Sequence, residues 1–365
     1  MEKTTSDKFF QLLRYSIDNS AECSVNISPE EWNEIYEIAQ QQSLLGIFFY
    51  GLQKLQRQYG KGMMPPKKLF VKWYASYEQI IESNEKTNKA AVRLSDFFRR
   101  HGFRTCILKG QGNALYYPNP NVRTSGDIDL WVEGGPKQVL RFVRRFVPKT
   151  SICYHHVQFK HVHGIDTEVH YRPAFMNNLV HNHRLQKWFM EQAEAQFQHE
   201  AQLPNLSGVV CVPTDSFNRI FQMVHIYNHI MHEGIGLRQI VDYYYLLERG
   251  LSEEDREREI TLLKRCGLYD VATAVMFVLH ERLGLSMSCL LVPPNKRLGQ
   301  FLLNEIMVGG NFGQFDTRVK HGGSQWARNI RRFKRDWQLM QFFPSECLWE
   351  PVFRCFNFLW RVVHR

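Results

Sequence analysis

The sequence predicts an α+β fold, a small mixed sheet in mid-chain flanked by N- and C-terminal helical regions. Three observations predict it. Apolar residues recur at helical spacing through residues 5–58 and 67–101. Short apolar runs cut by glycine and proline then replace that period up to about residue 175. From residue 176 the helical period returns. The expected organisation is a helical region at 1–90, a compact core at 91–175 and a helical domain at 176–365.

The elements follow in order. Leu12, Leu13 and Ile17 mark a first helix. Ser28 with Glu31 three residues on forms a capping-box signature ahead of EWNEIYEIAQQQ. YGKGMMPP breaks the chain. Leu69, Trp73, Ile80, Ile81, Leu94, Phe97 and Phe98 hold a 3.6 period through a long helix that stops at His101-Gly102. FRTCILKG is a strand running into glycine, and QGNALYYP a short helix stopped by Pro118. PNPNVRTSG is a loop, and DIDLWVEG a strand with alternating faces. PKQVLRFVRRF is a helix opened by Pro136. ICYHHVQFKHVHG and IDTEVHYRP complete a β-α-β-α-β-β unit.

Composition bounds the partners. With 44% hydrophobic and 13% aromatic residues the chain folds around a core and is not disordered. A formal net charge of +10 favours an anionic partner without choosing among nucleotide, nucleic acid and acidic membrane. The eight cysteines include no C-x-x-C pair, and the start carries no basic-then-apolar leader. Reduced thiols in the cytoplasm are expected, and no apolar run is long enough for a transmembrane helix.

The chemistry centres on GDIDLWV. In a strand, Asp127 and Asp129 share one face while Ile128, Leu130 and Val132 face a core. Two carboxylates about 7 Å apart on one face repel unless a cation lies between them, and a hard divalent ion takes such oxygen ligands. Upstream, LKGQG puts Lys109, Gly110 and Gln111 at a strand-to-helix turn, where free backbone N–H groups suit an anion. Arg123, four residues before Asp127, either forks onto phosphate or neutralises the aspartates as a structural pair. On IDTEVHYRP, Asp166, Glu168 and His170 share a face, and Glu168 ranks ahead of Asp166 as a third acid.

Other clusters rank lower. His155, His156, His161, His163 and His170 are dense, yet no cysteine stands at zinc-ligand spacing, so a place for His156 or His170 near phosphates or acceptor is preferred to zinc. His225, His229 and Asp242 read as a buried polar network, and Arg238 as the partner of an acid. Residues 318–335 carry seven Lys or Arg and no acid, a candidate grip on nucleic acid or simply a solvated helix face. The C-terminal FRCFNFLWRVVHR is too short to span a bilayer and is expected to pack against the helical domain.

These residues carry a resemblance. LKG, a short helix, R-x-x-G-D-I-D-L and a strand ending E-V-H-Y-R resemble the bacterial nucleotidyltransferase-fold proteins of the "uncharacterised nucleotidyltransferase" family. HIYNHI followed by GLRQIVDYYYLL, then GNFG and FPSE…P, extend the likeness over roughly residues 35–360. It implies a polymerase-β-like core in which Asp127, Asp129 and Glu168 bind Mg²⁺ or Mn²⁺. Lys109, Gly110, Gln111, Arg123 and His170 form the expected nucleotide-binding set. The implied reaction is attack of an unidentified acceptor (small molecule, RNA or protein) on the α-phosphate of a nucleoside triphosphate, releasing pyrophosphate. One departure stands out: the wider superfamily has Gly-Ser where this chain has Gly110-Gln111, removing a hydroxyl from the turn. A catalytically silent nucleotide-binding regulatory or interaction protein is the second reading.

Overall fold

A computed structural model describes residues 4–364, apart from 19, 24, 161, 163, 317 and 319–332. The chain opens with helices α1 (Thr5–Ile17), α2 (Pro29–Gln41) and α3 (Leu45–Tyr59). The Ser28–Glu31 capping box is formed at the start of α2. Phe9, Phe48 and Trp73 stack in their shared core, each fully buried. Each such side chain contributes roughly 1.5–3 kcal/mol by leaving water.

Helix α4 (Lys67–Arg100) joins two cores. Leu69, Trp73 and Tyr77 belong to the larger one, and Ala90, Ala91, Leu94 and Phe98 to the one beneath the sheet. Between them its buried face turns polar. Asn84 Nδ2 donates to the carbonyls of Asn121 and Arg123, both at 2.8 Å, which ties the loop before the D-x-D to the helix.

The sheet contains β1 (Thr105–Ile107), β2 (Ile128–Val132), β3 (His156–Gln158) and β4 (Thr167–His170), in the order β1-β2-β4-β3. β2 and β4 are parallel, and the outer pairs are antiparallel. The short α5 (Gln111–Ala114) follows β1, and α6 (Gly135–Val143) follows β2 with proline in its first turn. The expected β-α-β-α-β-β order is therefore present. Ile128, Leu130 and Val132 face the α4/α6 core, as their alternation requires.

Helices α7 (Leu179–Gln196), α8 (Asp215–His232), α9 (Leu237–Glu248), α10 (Glu253–Arg265), α11 (Tyr269–Glu281), α12 (Lys296–Gly309) and α13 (Pro344–Val363) follow the sheet. A hairpin interrupts them: β5 (Glu200–Leu203) pairs with β6 (Gly208–Cys211), where the sequence reads as mostly helical. Each strand has only four residues, too few to show a period, and its fate is decided by burial of Leu203 and Val210 against the sheet-side core. The end of α13 also departs from expectation. Phe353 and Trp360 pack against Tyr154 and Tyr171 of the core, not against the helical domain alone.

Most of the basic stretch 318–335 lies outside the described residues. Arg318 is bound to Asp316 and Glu305, and Arg335 donates to the Ile230 carbonyl, so these two charges serve internal contacts. All eight cysteines are free. Among the described residues no helix is long and apolar enough to cross a membrane.

Candidate active site

Register brings the acids together. Asp129 on β2 lies directly opposite Glu168 on parallel β4, and Trp131 opposite His170. Opposed residues in a parallel pair share a face. The Asp129 and Glu168 carboxylates therefore emerge on the same side, away from the α4/α6 core. Ligand atoms of Asp129, Glu168 and His170 all lie within 4.8 Å of one another. Asp127 precedes the strand, falls outside that tight cluster, and lines the same hollow as Asp129. Asp166 is exposed, and Glu168 is the acid that the register sets opposite Asp129.

Their charges are coupled. His170 Nε2 sits 3.0 Å from Asp129 Oδ1 and 3.5 Å from Glu168 Oε2. Lys109 Nζ lies 3.1 Å from Asp129 Oδ2. Burial would raise the Asp129 carboxyl, but Lys109 and His170 outweigh it and hold it well below the usual carboxylate range. Asp127 is pushed the other way, by the Asp129 charge first and by burial second. Burial opposes charge on His170, yet the carboxylates of Asp129 and Glu168 prevail and push it up to about 9. Lys109 is likewise raised against its own burial, by Asp129, Asp127 and Glu168. A cluster whose members are driven in opposite directions is a mark of functional sites.

The donor set fits a divalent ion. Asp129 Oδ2 is buried, and the Lys109 ammonium in ion contact with it is its sole close partner among the described residues, so the oxygen is open to a metal cation wherever the lysine moves off. Carboxylate oxygens with one imidazole beside them suit Mg²⁺ or Mn²⁺. His155, His156 and His170 bring a further set of ring nitrogens together, which the zinc argument from sequence ranked low. His161 and His163 lie outside the described residues. Burial, then the neighbouring His170, pushes His156 down to about 4, and its Nδ1 stands 3.3 Å from Glu168 Oε2.

Of the expected nucleotide-binding set, Lys109 and Gly110 line the hollow. Gly110 holds φ 58°, ψ −105°, a conformation that no L side chain adopts without strain. The Gln111 side chain turns from the hollow into the polar face of α4, donating to Asn88 Oδ1 at 2.6 Å, which leaves only its backbone at the turn. A neutral amide finds buried amide partners there, as a serine could not at that reach. Arg123 reaches the wall of the hollow, and its fork closes at 2.7 and 2.8 Å on Asp242 of α9, an acid other than the two strand aspartates expected as its structural partners.

Asp242 is fully engaged. Tyr117 donates to Oδ1 at 2.6 Å and Asn113 to Oδ2 at 3.4 Å. Asn113 Oδ1 in turn accepts from Asn218 and Gln222 on α8. This buried network locks α5 and the D-x-D loop to α8 and α9. His225 and His229 stand apart from it, paired with each other at 3.1 Å.

Sequence reasoning passed over Asn113, Gln222 and Phe312, all of which line the hollow, and it assigned Arg238 to an acid. The structure gives Arg238 no carboxylate partner within ion-pairing distance among the described residues. The signal lay in the spacing: Arg238 and Asp242 are four apart on α9, but Arg123 arrives first at Asp242. The hollow itself measures about 30 Å³, room for about two waters.

Comparison with known proteins adds one finding. A family model described as uncharacterised nucleotidyltransferase matches residues 28–284, well over half of the chain, from α2 through α11. No curated protein and no solved structure matches.

Proposed function

The chain belongs to this nucleotidyltransferase family, and from that premise we propose that it moves a nucleoside monophosphate from a nucleoside triphosphate to an acceptor, with release of pyrophosphate, at the Asp127/Asp129/Glu168 hollow. The observation that carries the proposal is the register pairing of Asp129 with Glu168, which puts a half-buried carboxylate beside the buried Asp129 and next to Lys109.

Asp127, Asp129 and Glu168 would hold a divalent ion, Mg²⁺ or Mn²⁺. Bound there, the ion supplies charge neutralisation for the phosphates and polarises the attacking oxygen. The chain's own groups do the rest. Lys109, freed from Asp129, swings its ammonium to the phosphate oxygens. Gly110 lets the backbone approach them closely, because no Cβ intervenes. Glu168 lies below the ordinary carboxyl range, since His170 and His156 outweigh its burial, and so stays ionised to accept the acceptor's proton. The acceptor oxygen then bonds to the α-phosphorus as the bond to the pyrophosphate oxygen breaks. Positioning and charge, more than covalent help, carry such transfers.

The test is to incubate the protein with α-labelled nucleoside triphosphates, Mg²⁺ or Mn²⁺ and a cell extract. A labelled component and released pyrophosphate, both absent with Asp129→Asn, are expected. Equal labelling by the variant would refute the assignment.

A further inference from the structure

Arg238 is the described cation of the hollow for which no use has yet been found. It rises from the first turn of α9 and is 7% exposed. One Nη1 donates to the Thr124 carbonyl at 3.0 Å, and the guanidinium lies 5.5 Å from the Phe312 ring. Its Nε is buried with no hydrogen-bond partner. A Cβ added at Gly126 would stand 4.0 Å from Nη1, so the fork hangs over the residue that precedes Asp127. Arg123 is a repelling neighbour; of the two acids that act on Arg238, Asp242 is already engaged by four donors, and Asp127 is not within ion-pairing distance. A buried charge with no counter-ion is costly, several kcal/mol in the general case. The fold therefore keeps a buried cation, with no carboxylate in direct contact, facing a hollow that also contains Lys109 and Gly110.

We propose that Arg238 binds the pyrophosphate portion of the nucleoside triphosphate, so that the helical region supplies the anion site that completes the core. The inference rests on the nucleotidyl-transfer reading above. Its logic is one of charge placement. The α-phosphate must lie at the acids, and Lys109, which stands against Asp129, is taken up there. The remaining phosphates carry most of the negative charge and need a donor not already held by a carboxylate. A planar fork with a spare N–H suits two phosphate oxygens at once. Arg123 fixes Asp242, which frees Arg238 for the ligand. Recognition of pyrophosphate on α9 also makes the triphosphate, and not the monophosphate, the species that bridges core and helical region.

Calorimetry on the full-length protein with Mg²⁺ tests this, using inorganic pyrophosphate, ATP and AMP as probes. Wild type should bind ATP and pyrophosphate, and Arg238→Met should weaken both by about tenfold or more while AMP binding is unchanged. Thermal melting checks the fold. If the Met variant does not fold, Arg238→Lys keeps the charge but loses the fork, and a several-fold loss for pyrophosphate is expected. Pyrophosphate binding equal to wild type in a folded variant overturns the Arg238 assignment and leaves the nucleotidyl-transfer reading standing. A wild type that binds neither ATP nor pyrophosphate overturns both.

Discussion

Two buried aspartates face each other across one hollow, and they are buried alike: Asp129 is 2% exposed and Asp242 1%. Their surroundings differ. Asp242 receives two donors from Arg123 and one each from Tyr117 and Asn113. Asp129 has His170 on one oxygen at 3.0 Å and Lys109 in ion contact with the other at 3.1 Å, and two further acids compete for the same two partners. A satisfied carboxylate rigidifies what it joins, and an under-satisfied one in a crowd of like charges is poised for a cation. The two sides of the hollow thus divide the work between scaffold and chemistry.

The largest effect should come from breaking the chemical side. Asp129→Asn should reduce nucleotidyl transfer by at least ~10²–10³-fold, the scale set by removal of one preorganised electrostatic group. Its unfolding free energy should change less than that of the next variant. Asp242→Asn should act mainly on stability. It strips the counter-charge from a buried Arg123, and losing one partner of a buried pair costs about 3–5 kcal/mol. Urea unfolding of both variants decides the comparison, and equal destabilisation would erase the distinction drawn here.

A smaller effect is expected at the turn between them. Gly110→Ala places a Cβ at φ 58°, which should cost about 1–3 kcal/mol of local strain and raise KM for the triphosphate. Steady-state kinetics beside a melting curve would show a change in KM larger than that in kcat. The subtlest contrast is in pH. His170 is raised to about 9 from an unfolded value near 6.5. A raised folded value means its stabilisation is full below about pH 6.5 and is lost as pH rises through about 9. Arg123, which performs the same service for Asp242, stays charged across that window. In chelator, wild type should therefore lose stability from pH 6.5 to 9, and His170→Gln should flatten that slope. An unchanged slope would mean that His170 is not the counter-charge.

Much of this was legible in the chain. The D-x-D alternation put Ile128, Leu130 and Val132 into a core because a strand has period two. The long period of α4 and the capping box of α2 came from local rules that need no partner. Glu168 ranked ahead of Asp166, and the parallel register that places it opposite Asp129 agrees with that order.

Pairing over long distances was not legible. Nothing in the sequence distinguishes whether Arg123 or Arg238 takes Asp242, since both types of pair satisfy charge and only packing of α9 against the D-x-D loop selects one. Gln111 lost its expected place to amides of α4 that come close only after folding. The β5–β6 hairpin formed because the sheet-side core had apolar surface left to cover, not because four residues prefer strand. Local periodicity and charge spacing are written along the chain, so the sequence by itself determined the order of elements and the acidic strand. Which buried charge meets which partner depends on distances across the fold, and only the tertiary structure decided that Asp242 would hold four donors to itself while Asp129 would share its two cations with neighbouring acids.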